Sequence, residues 1–438
     1  MSPCLALMSL SAECFMRLWV LLSCGALTAC ATHSAPQPAG KATALGTLSR
    51  CTVREVGRDS LLVEGGKRLY VEPYTMAANE RGEAFLAGRF NYLIERGPAG
   101  AWQRSTDQHI FGAIVPRAGE PRVVRSPVPT AHLGSIQIMP REDGTWTVAF
   151  VEVVPPVGGS RTNAAVARLW NGTYDGTRWT HLDTIPRPAG VSLYAEFASS
   201  LLARGDTLFW AVRSRGEPHY DVVLFERYEG RWRSQVVPTR TAAEVELTYS
   251  DSVGLLLAVV QPDPGLRQDT NSLLLWARRP TWSILRRLVH GYDEGMVNAP
   301  QFTSPSSGGV LTWESEPASP IRGLRELRTR RENWGGEQRA ASVVDSSVYH
   351  GEALVLDGDS WWVTDHISPS GANSEIRFVR DAGVRPLLVN WFPNPYATRF
   401  RAITVSPDTI VVTGAFNDTA SKAGVVTLLL LFQVTCTN

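Results

Sequence analysis

Residues 205–212 read GDTLFWAV and residues 223–232 read VLFERYEGRW, and the recurrence of these two stretches decides the fold. The first is a turn followed by a short apolar run; the second is an apolar run, a polar turn and a tryptophan. Short runs of β-branched, aromatic and leucine residues bounded by Gly, Asp and Pro favour strands, because such side chains pack well on a pleated surface. The first pattern returns as RGEAFLAG (81–88), DGTWTVAF (143–150), VGLLLAVV (253–260), GGVLTWES (308–315), DGDSWWVT (357–364) and SPDTIVVT (406–413). The second returns as YLIERGPAGAW (92–102), ARLWNGTYDGTRW (167–179), LLLWARRPTW (273–282) and LRTRRENW (327–334), and as IRFVRDAGV (376–384) with Val384 in the tryptophan place.

From Trp179 through Trp232 and Trp282 to Trp334 the spacing settles near fifty residues. No stretch beyond the N-terminal thirty residues carries the i, i+3, i+4, i+7 apolar spacing of a helix. At 438 residues the chain also exceeds what one layered core supports. Four short strands per repeat predict an all-β fold, a single β-propeller over residues 49–438. Seven copies of the turn-plus-strand element imply seven blades, or six if the first or last copy is not a blade. A tandem of sandwiches fits less well, since its strands need not recur in a tryptophan-marked register.

Thr173-Tyr174-Asp175-Gly176-Thr177-Arg178-Trp179 resembles the Asp-box turn of sialidase-like propellers, in which a Ser or Thr, an Asp, a Gly and an aromatic brace the hairpin between the third and fourth strands. This copy is one residue short, and the other repeats keep only the turn and the tryptophan. The resemblance implies a fold and not an activity. An active sialidase would carry an Arg-Ile-Pro signature near its start; Ile185-Pro186-Arg187-Pro188 is a rearranged look-alike after the second repeat.

The N-terminal stretch MRLWVLLSCGALTAC (16–30) has one basic residue, an apolar run and Leu27-Thr28-Ala29-Cys30. That is the layout of an export signal, too short to span a bilayer. It resembles the bacterial lipobox, which implies a signal peptide over 1–29, lipid on Cys30 and a membrane-anchored, exported protein. Met16 is an alternative start. Residues 30–48 are rich in Ala, Pro, Gly and Ser and suit a flexible tether. In the sorting rule of that family an Asp after the lipidated cysteine retains the protein at the inner membrane; Ala31 points instead to the outer membrane, facing the periplasm. Of six cysteines, Cys4, Cys14 and Cys24 leave with the signal and Cys30 is taken by lipid. Cys51 and Cys436 remain, as one disulfide in an oxidising compartment or as two unrelated thiols.

A propeller has to join its last blade to its first. The seventh copy stops after VVTLLLLFQVT (425–435), where other copies continue into a fourth strand. The segment 50–72 can supply that strand, and an antiparallel arrangement then brings Cys51 to Cys436.

The charge is balanced, 43 Lys and Arg against 42 Asp and Glu, which excludes the basic surplus of a nucleic-acid binder. There is no HExxH, no clustered His and Cys spacing, no GxSxG, no P-loop and no GxGxxG after a strand, so no metal or cofactor is expected. Gly358-Asp359-Ser360 sits at the structural turn of its repeat. Residues just before each innermost strand converge at one mouth of a propeller, which makes His132, Tyr194, Glu196, Glu244, Glu246, Asn298, His350, Glu352, Arg399 and Arg401 candidate ligand-binding positions. Such a ring grips a sugar or peptide, or does acid–base work with paired carboxylates; ordinary solvated channel residues look the same in a sequence. The reading is a monomeric, non-enzymatic binding or scaffold module for a protein, peptide or glycan. Its competitor is a glycoside hydrolase or lyase using Glu196 and Glu246.

Overall fold

The computed structural model describes residues 51–436 apart from connecting stretches, the longest being 125–131, 155–165, 263–270, 290–295, 317–324, 368–373, 381–386 and 419–425. The signal, Cys30 and the tether lie outside the described residues, as do Tyr194 and Glu196. Among the described residues all regular structure is strand.

In chain order the first strands are β1 (Cys51–Arg58), β2 (Val63–Glu64), β3 (Lys67–Ala78), β4 (Ala84–Arg96), β5 (Ala101–Arg104), β6 (His109–Val115) and β7 (Arg122–Val124). Next come β8 (His132–Pro140), β9 (Trp146–Val154), β10 (Val166–Tyr174) and β11 (Trp179–Ile185), then β12 (Ser192–Leu193), β13 (Ser199–Arg204), β14 (Thr207–Arg215), β15 (Val222–Tyr228) and β16 (Arg231–Val237). They are followed by β17 (Glu244–Ser250), β18 (Gly254–Pro262), β19 (Asn271–Arg279), β20 (Thr281–Val289), β21 (Met296–Thr303), β22 (Val310–Glu316) and β23 (Arg325–Arg331). The last are β24 (Ser342–Leu356), β25 (Asp359–Ile367), β26 (Ser374–Arg380), β27 (Leu387–Phe392), β28 (Ala397–Ser406), β29 (Thr409–Asp418) and β30 (Val426–Cys436).

All pair as antiparallel meanders: β3-β4-β6-β7, then β8 to β11, β13 to β16 and β17 to β20. The long β24 serves twice. Its first half is the outer strand on β23, in register from Thr329↔Ser342 to Arg325↔Val348, and its second half is the inner strand on β25, ending at Leu356↔Asp359. The change of partner falls at Ser347, whose φ of 62° lies in the left-handed region. Among the described residues the strands therefore form six hydrogen-bonded sheets, or seven groups of four when β24 is counted in both. In the last group the order is β1-β30-β29-β28, so the N-terminal strand closes the final sheet. The innermost strands touch in sequence, β3, β8, β13, β17, β21, β24 and β28, and β28 returns to β3. That closed cycle is the propeller arrangement.

Its core is a ring of interfaces between sheets, not one central mass. In β9, Trp146, Val148 and Phe150 face Phe85 and Ile114 of the first group, while Ala149 and Val151 face Trp210 and Phe225 of the third. In β18, Leu255, Leu257 and Val259 pack on the third group and Leu256, Ala258 and Val260 on the fifth. A middle strand is thus buried on both faces, which is why its sequence is continuously apolar where a one-sided strand would alternate. Ala84, Leu86 and Val115 meet Val405 and Val411, closing the ring from the last group to the first.

The repeated tryptophans fill the same seams. Trp179, Trp232, Trp282 and Trp334 each pack into the cluster shared with the preceding group. Trp102 is the exception. It lies in β5, which forms a side hairpin on the end of β4 with Glu95 opposite Trp102. The third strand of the first group is instead β6, so YLIERGPAGAW is an insertion, and the irregular first tryptophan interval follows from it. Asp175 makes the turn between β10 and β11, accepting hydrogen bonds from the Thr177 amide (2.8 Å), the Thr177 hydroxyl (2.6 Å) and the Arg178 amide (2.9 Å). Those donors hold its carboxyl at about 2. Gly176 adopts φ 95°, a conformation that a Cβ disfavours.

Because each seam carries its own core, truncating one fully buried ring should destabilise the whole ring. Trp210→Ala is expected to cost about 3–5 kcal/mol, read as a lower urea midpoint with an unchanged denaturant slope.

Candidate functional site

The inner strand of every group has one edge unpaired by its own sheet, and buried backbone donors and acceptors demand partners. Polar side chains of neighbouring groups supply them. Ser200 Oγ accepts the Leu247 amide at 2.9 Å, and Gln137 Nε2 donates to the Ser199 carbonyl at 2.8 Å. The Gln301 carboxamide donates to the Gly351 carbonyl at 2.8 Å and accepts the Ala353 amide at 2.7 Å. Glu244 accepts the Ala299 amide, and Thr404 Oγ1 donates to the Val355 carbonyl at 2.6 Å. This circuit explains why small polar residues recur in strands that read as core.

On the wall built by β17, β21, β22, β24 and β28 the braces become a charged network. His350 Nδ1 lies 2.5 Å from Glu314 Oε1, and its Nε2 lies 3.0 Å from Glu352 Oε1. Arg401 donates to the same Glu352 oxygen and stands 2.7 Å from His350 Nε2, two cations sharing one acceptor. Glu314 also takes Arg325 through its other oxygen and the Gly351 amide at 3.2 Å. Burial alone would push the His350 imidazolium down, but Glu314 and Glu352 outweigh it and carry it up to about 9. Burial likewise opposes ionisation of Glu314 and Glu352; His350 with Arg325 and Arg401 with His350, respectively, reverse that and hold both below the usual range.

Two carboxyls on β17 behave in the opposite way. Burial pushes Glu246 up to about 8, opposed by its hydrogen bond with Ser200 and reinforced by the Glu352 charge. Glu244 is raised for the same first reason, and the Ala299 amide only partly offsets it. Glu246 keeps some accessible surface although protein surrounds it, as befits a group on an inner wall.

One feature of the wall is strained. A bulge interrupts the β21–β22 register between Asn298 and Gln301, and Ala299 sits there at φ 46°, a conformation costing roughly 1–2 kcal/mol for a residue with a Cβ. Glu244 holds the bulge through the Ala299 amide. Asn298 lies opposite Glu314 in the register, and Arg325 is ion-paired with that glutamate. Asn298 Nδ2 and Arg325 Nε are buried without a hydrogen-bond partner. Strain beside orphaned donors is an arrangement found where a protein keeps groups for a guest.

Of the positions expected from the sequence, the structure brings His350, Glu352 and Arg401 into one network and puts Glu244, Glu246 and Asn298 on the adjoining strands. His132 begins β8 opposite Val153, and Arg399 lies in β28 opposite Ala415; their side chains are outside the described residues. Sequence reasoning missed Glu314, Arg325 and Ser200. Glu314 comes from a second strand, not an inner one, and its signal was an acid inside the apolar run VLTWES. Among the described residues no group of three or more His, Cys, Asp or Glu could hold a metal ion.

No protein-family model matches the chain, and no curated protein matches it. Among solved structures it is similar to a protein of unknown function from Dyadobacter fermentans, with 11% identity and a TM-score of 0.49 over 88% of this chain and 99% of that one. It is similar to the polysaccharide lyase Uly1, with 10% identity and a TM-score of 0.48 over 84% and 89%. It is also similar to the WD40 domain of SCAP from fission yeast, with 9% identity and a TM-score of 0.44 over 89% and 98%. The fold assignment rests on the strand pairing and the closed cycle of inner strands.

A carboxyl raised on folding stabilises the protein fully below its unfolded value and loses that contribution as pH rises through its folded value. For Glu246 the window runs from the ordinary 4.5 to about 8. Glu246→Gln should flatten the fall in melting temperature across that window, with its largest gain at pH 8 and above and little change at pH 4. A parallel pH profile in wild type and variant would show that Glu246 is ionised throughout.

Proposed function

We propose that this chain is a lipid-anchored envelope protein whose propeller is a non-enzymatic binding module, with the wall of β17, β21, β22, β24 and β28 as its ligand site. The observation that carries this reading is the pair of buried, unpartnered donors, Asn298 Nδ2 on β21 and Arg325 Nε at the start of β23, beside the paired charges of His350, Glu314, Glu352 and Arg401. Two buried N–H donors without a protein acceptor suit hydrogen-bond acceptors from outside, and a sugar or a peptide offers them. The ionised groups around them are saturated: both His350 nitrogens engage carboxylates, which suits a rigid rim better than a proton shuttle. The export signal and the lipobox-like Leu27-Thr28-Ala29-Cys30 support an anchor through Cys30, with the outer membrane, periplasmic side, as its address.

A second reading, a glycoside hydrolase or lyase, is favoured by one observation. Glu246, raised to about 8, would be a neutral acid at physiological pH, the state a general acid needs. Glu196, its partner in that reading, lies outside the described residues.

Glycan and peptide arrays probed with the purified propeller separate these readings. Binding without turnover supports the module; new reducing ends or unsaturated products that vanish in Glu246→Gln support the enzyme. Asn298→Ala should weaken the binding roughly tenfold without lowering the melting temperature, because Nδ2 gives up no internal bond. Equal affinity in that variant would remove the site from this wall. Cys30→Ala should shift the exported protein from the membrane to the soluble fraction, and continued membrane retention would refute the anchor.

A further inference from the structure

The closing strand carries a chemical feature that the ligand site does not use. β1 pairs antiparallel with β30 in a register that starts at Cys51↔Cys436 and runs through Thr52↔Thr435, Val53↔Val434 and Arg54↔Gln433 to Arg58↔Leu430. The two cysteines are directly opposite each other. Cα atoms of directly opposed residues in an antiparallel pair lie about 4.5 or 5.5 Å apart, and disulfides span Cα separations of about 4.4–6.8 Å. Backbone register alone therefore puts the two sulfurs' residues within bridging range.

Their place in the ladder matters as much as their proximity. β1 is an edge strand with β30 as its one sheet neighbour, whereas β30 is held by β1 and by β29. The contacts that fasten β1 next to the cysteines are polar and exposed or half-buried: Thr52 Oγ1 donates to the Thr435 carbonyl at 3.4 Å, and Arg54 Nη2 donates to Gln433 Oε1 at 2.8 Å. Gln433 in turn donates to the Arg117 carbonyl beyond β6, at 3.4 Å, linking the last group to the first. An edge strand pulled from its Cys51 end opens one pair at a time, and the pair that opens first is Cys51↔Cys436.

We propose that Cys51 and Cys436 form a disulfide that locks this first pair, so that a pull on the N-terminal side is carried into β30 and must strip two ladders instead of one. The pull would come from the lipid tether, and this mechanical role rests on the anchored reading above; the crosslink itself does not. Formation removes two protons and two electrons from the thiols. A disulfide-form thiol oxidant takes them by exchange: one cysteine thiolate attacks it to give a mixed disulfide, and the second displaces the reduced oxidant. The crosslink closes a loop containing most of the chain, which favours a stabilising effect.

The experiment uses the purified propeller with its tether, oxidised in a glutathione redox buffer, so its outcome is independent of cellular address. Non-reducing peptide mapping should find a Cys51–Cys436 crosslinked peptide, and dithiothreitol should lower the melting temperature by several degrees and open cleavage within β1 to a limited protease. The double substitution Cys51→Ser with Cys436→Ser should behave like the reduced wild type and be indifferent to dithiothreitol. If that variant fails to fold, reversible reduction of the wild type gives the same comparison. Two alkylatable thiols after oxidation overturn the crosslink. A crosslink whose reduction changes neither melting nor proteolysis overturns the lock.

Discussion

Closure is the constraint on which the rest depends. Each sheet presents apolar side chains on both faces, so each needs a neighbour on both sides, and only a closed cycle leaves no face bare. The last sheet has three strands of its own, β28 to β30, and takes its fourth from the other end of the described chain. Pairing residues such as Thr52 and Thr435, 383 positions apart, is costly in chain entropy and comes late if contacts form by sequence proximity. Once made, it completes β30 between two ladders and sets the Ala84–Val411 seam in place. The β1–β30 ladder therefore stands as the keystone of the ring.

Closing a ring creates a second problem at its centre. The inner strands' free edges face inward with backbone groups that no partner in their own sheet reaches. The molecule answers with side chains reaching across to the next sheet: Ser200, Gln301, Glu244, Glu314 and Thr404. Where those braces are hydroxyls and amides the wall is neutral. Where they are carboxylates, each must find a cation or keep its proton, which is why Glu314 recruits His350 and Arg325 while Glu246, near Glu352, stays protonated to unusually high pH. The chemistry of the candidate site thus grows out of satisfying inner edges, and the proposed ligand donors are two buried N–H groups beside the Glu314 network that no protein acceptor reaches.

The alternation of turn, apolar run, turn and tryptophan made the strands legible, because strand formation and turn chemistry are local. The missing outer strand of the last repeat was legible from where the repeat stops; of the segment 50–72 expected to supply it, only Cys51–Arg58 does so, while Lys67–Ala78 is the inner strand of the first group. His350, Glu352 and Arg401 could be named together as inner-strand residues, and the structure joins them in one network. Glu314 and Arg325 could not, since nothing in the spacing of a second or third strand says that its end bends toward the inner wall. The side hairpin at Trp102 was grouped with the other copies of the second pattern, because a Gly-Pro turn before a tryptophan looks the same whether the hairpin extends one strand or starts another.

By itself, then, the sequence determined the all-β class, the repeat and the closure, along with the export-like N-terminus, all of which are written in residue type and period. Tertiary structure alone decided that β24 serves two groups, that Ala299 is held in a left-handed bulge, and which carboxyls ionise. Those outcomes depend on what lies across a seam and not along the chain. A glutamate at position 246 or 314 is the same residue in the sequence. Burial, reinforced by the Glu352 charge, keeps the first protonated up to about pH 8, and contact with His350 and Arg325 ionises the second.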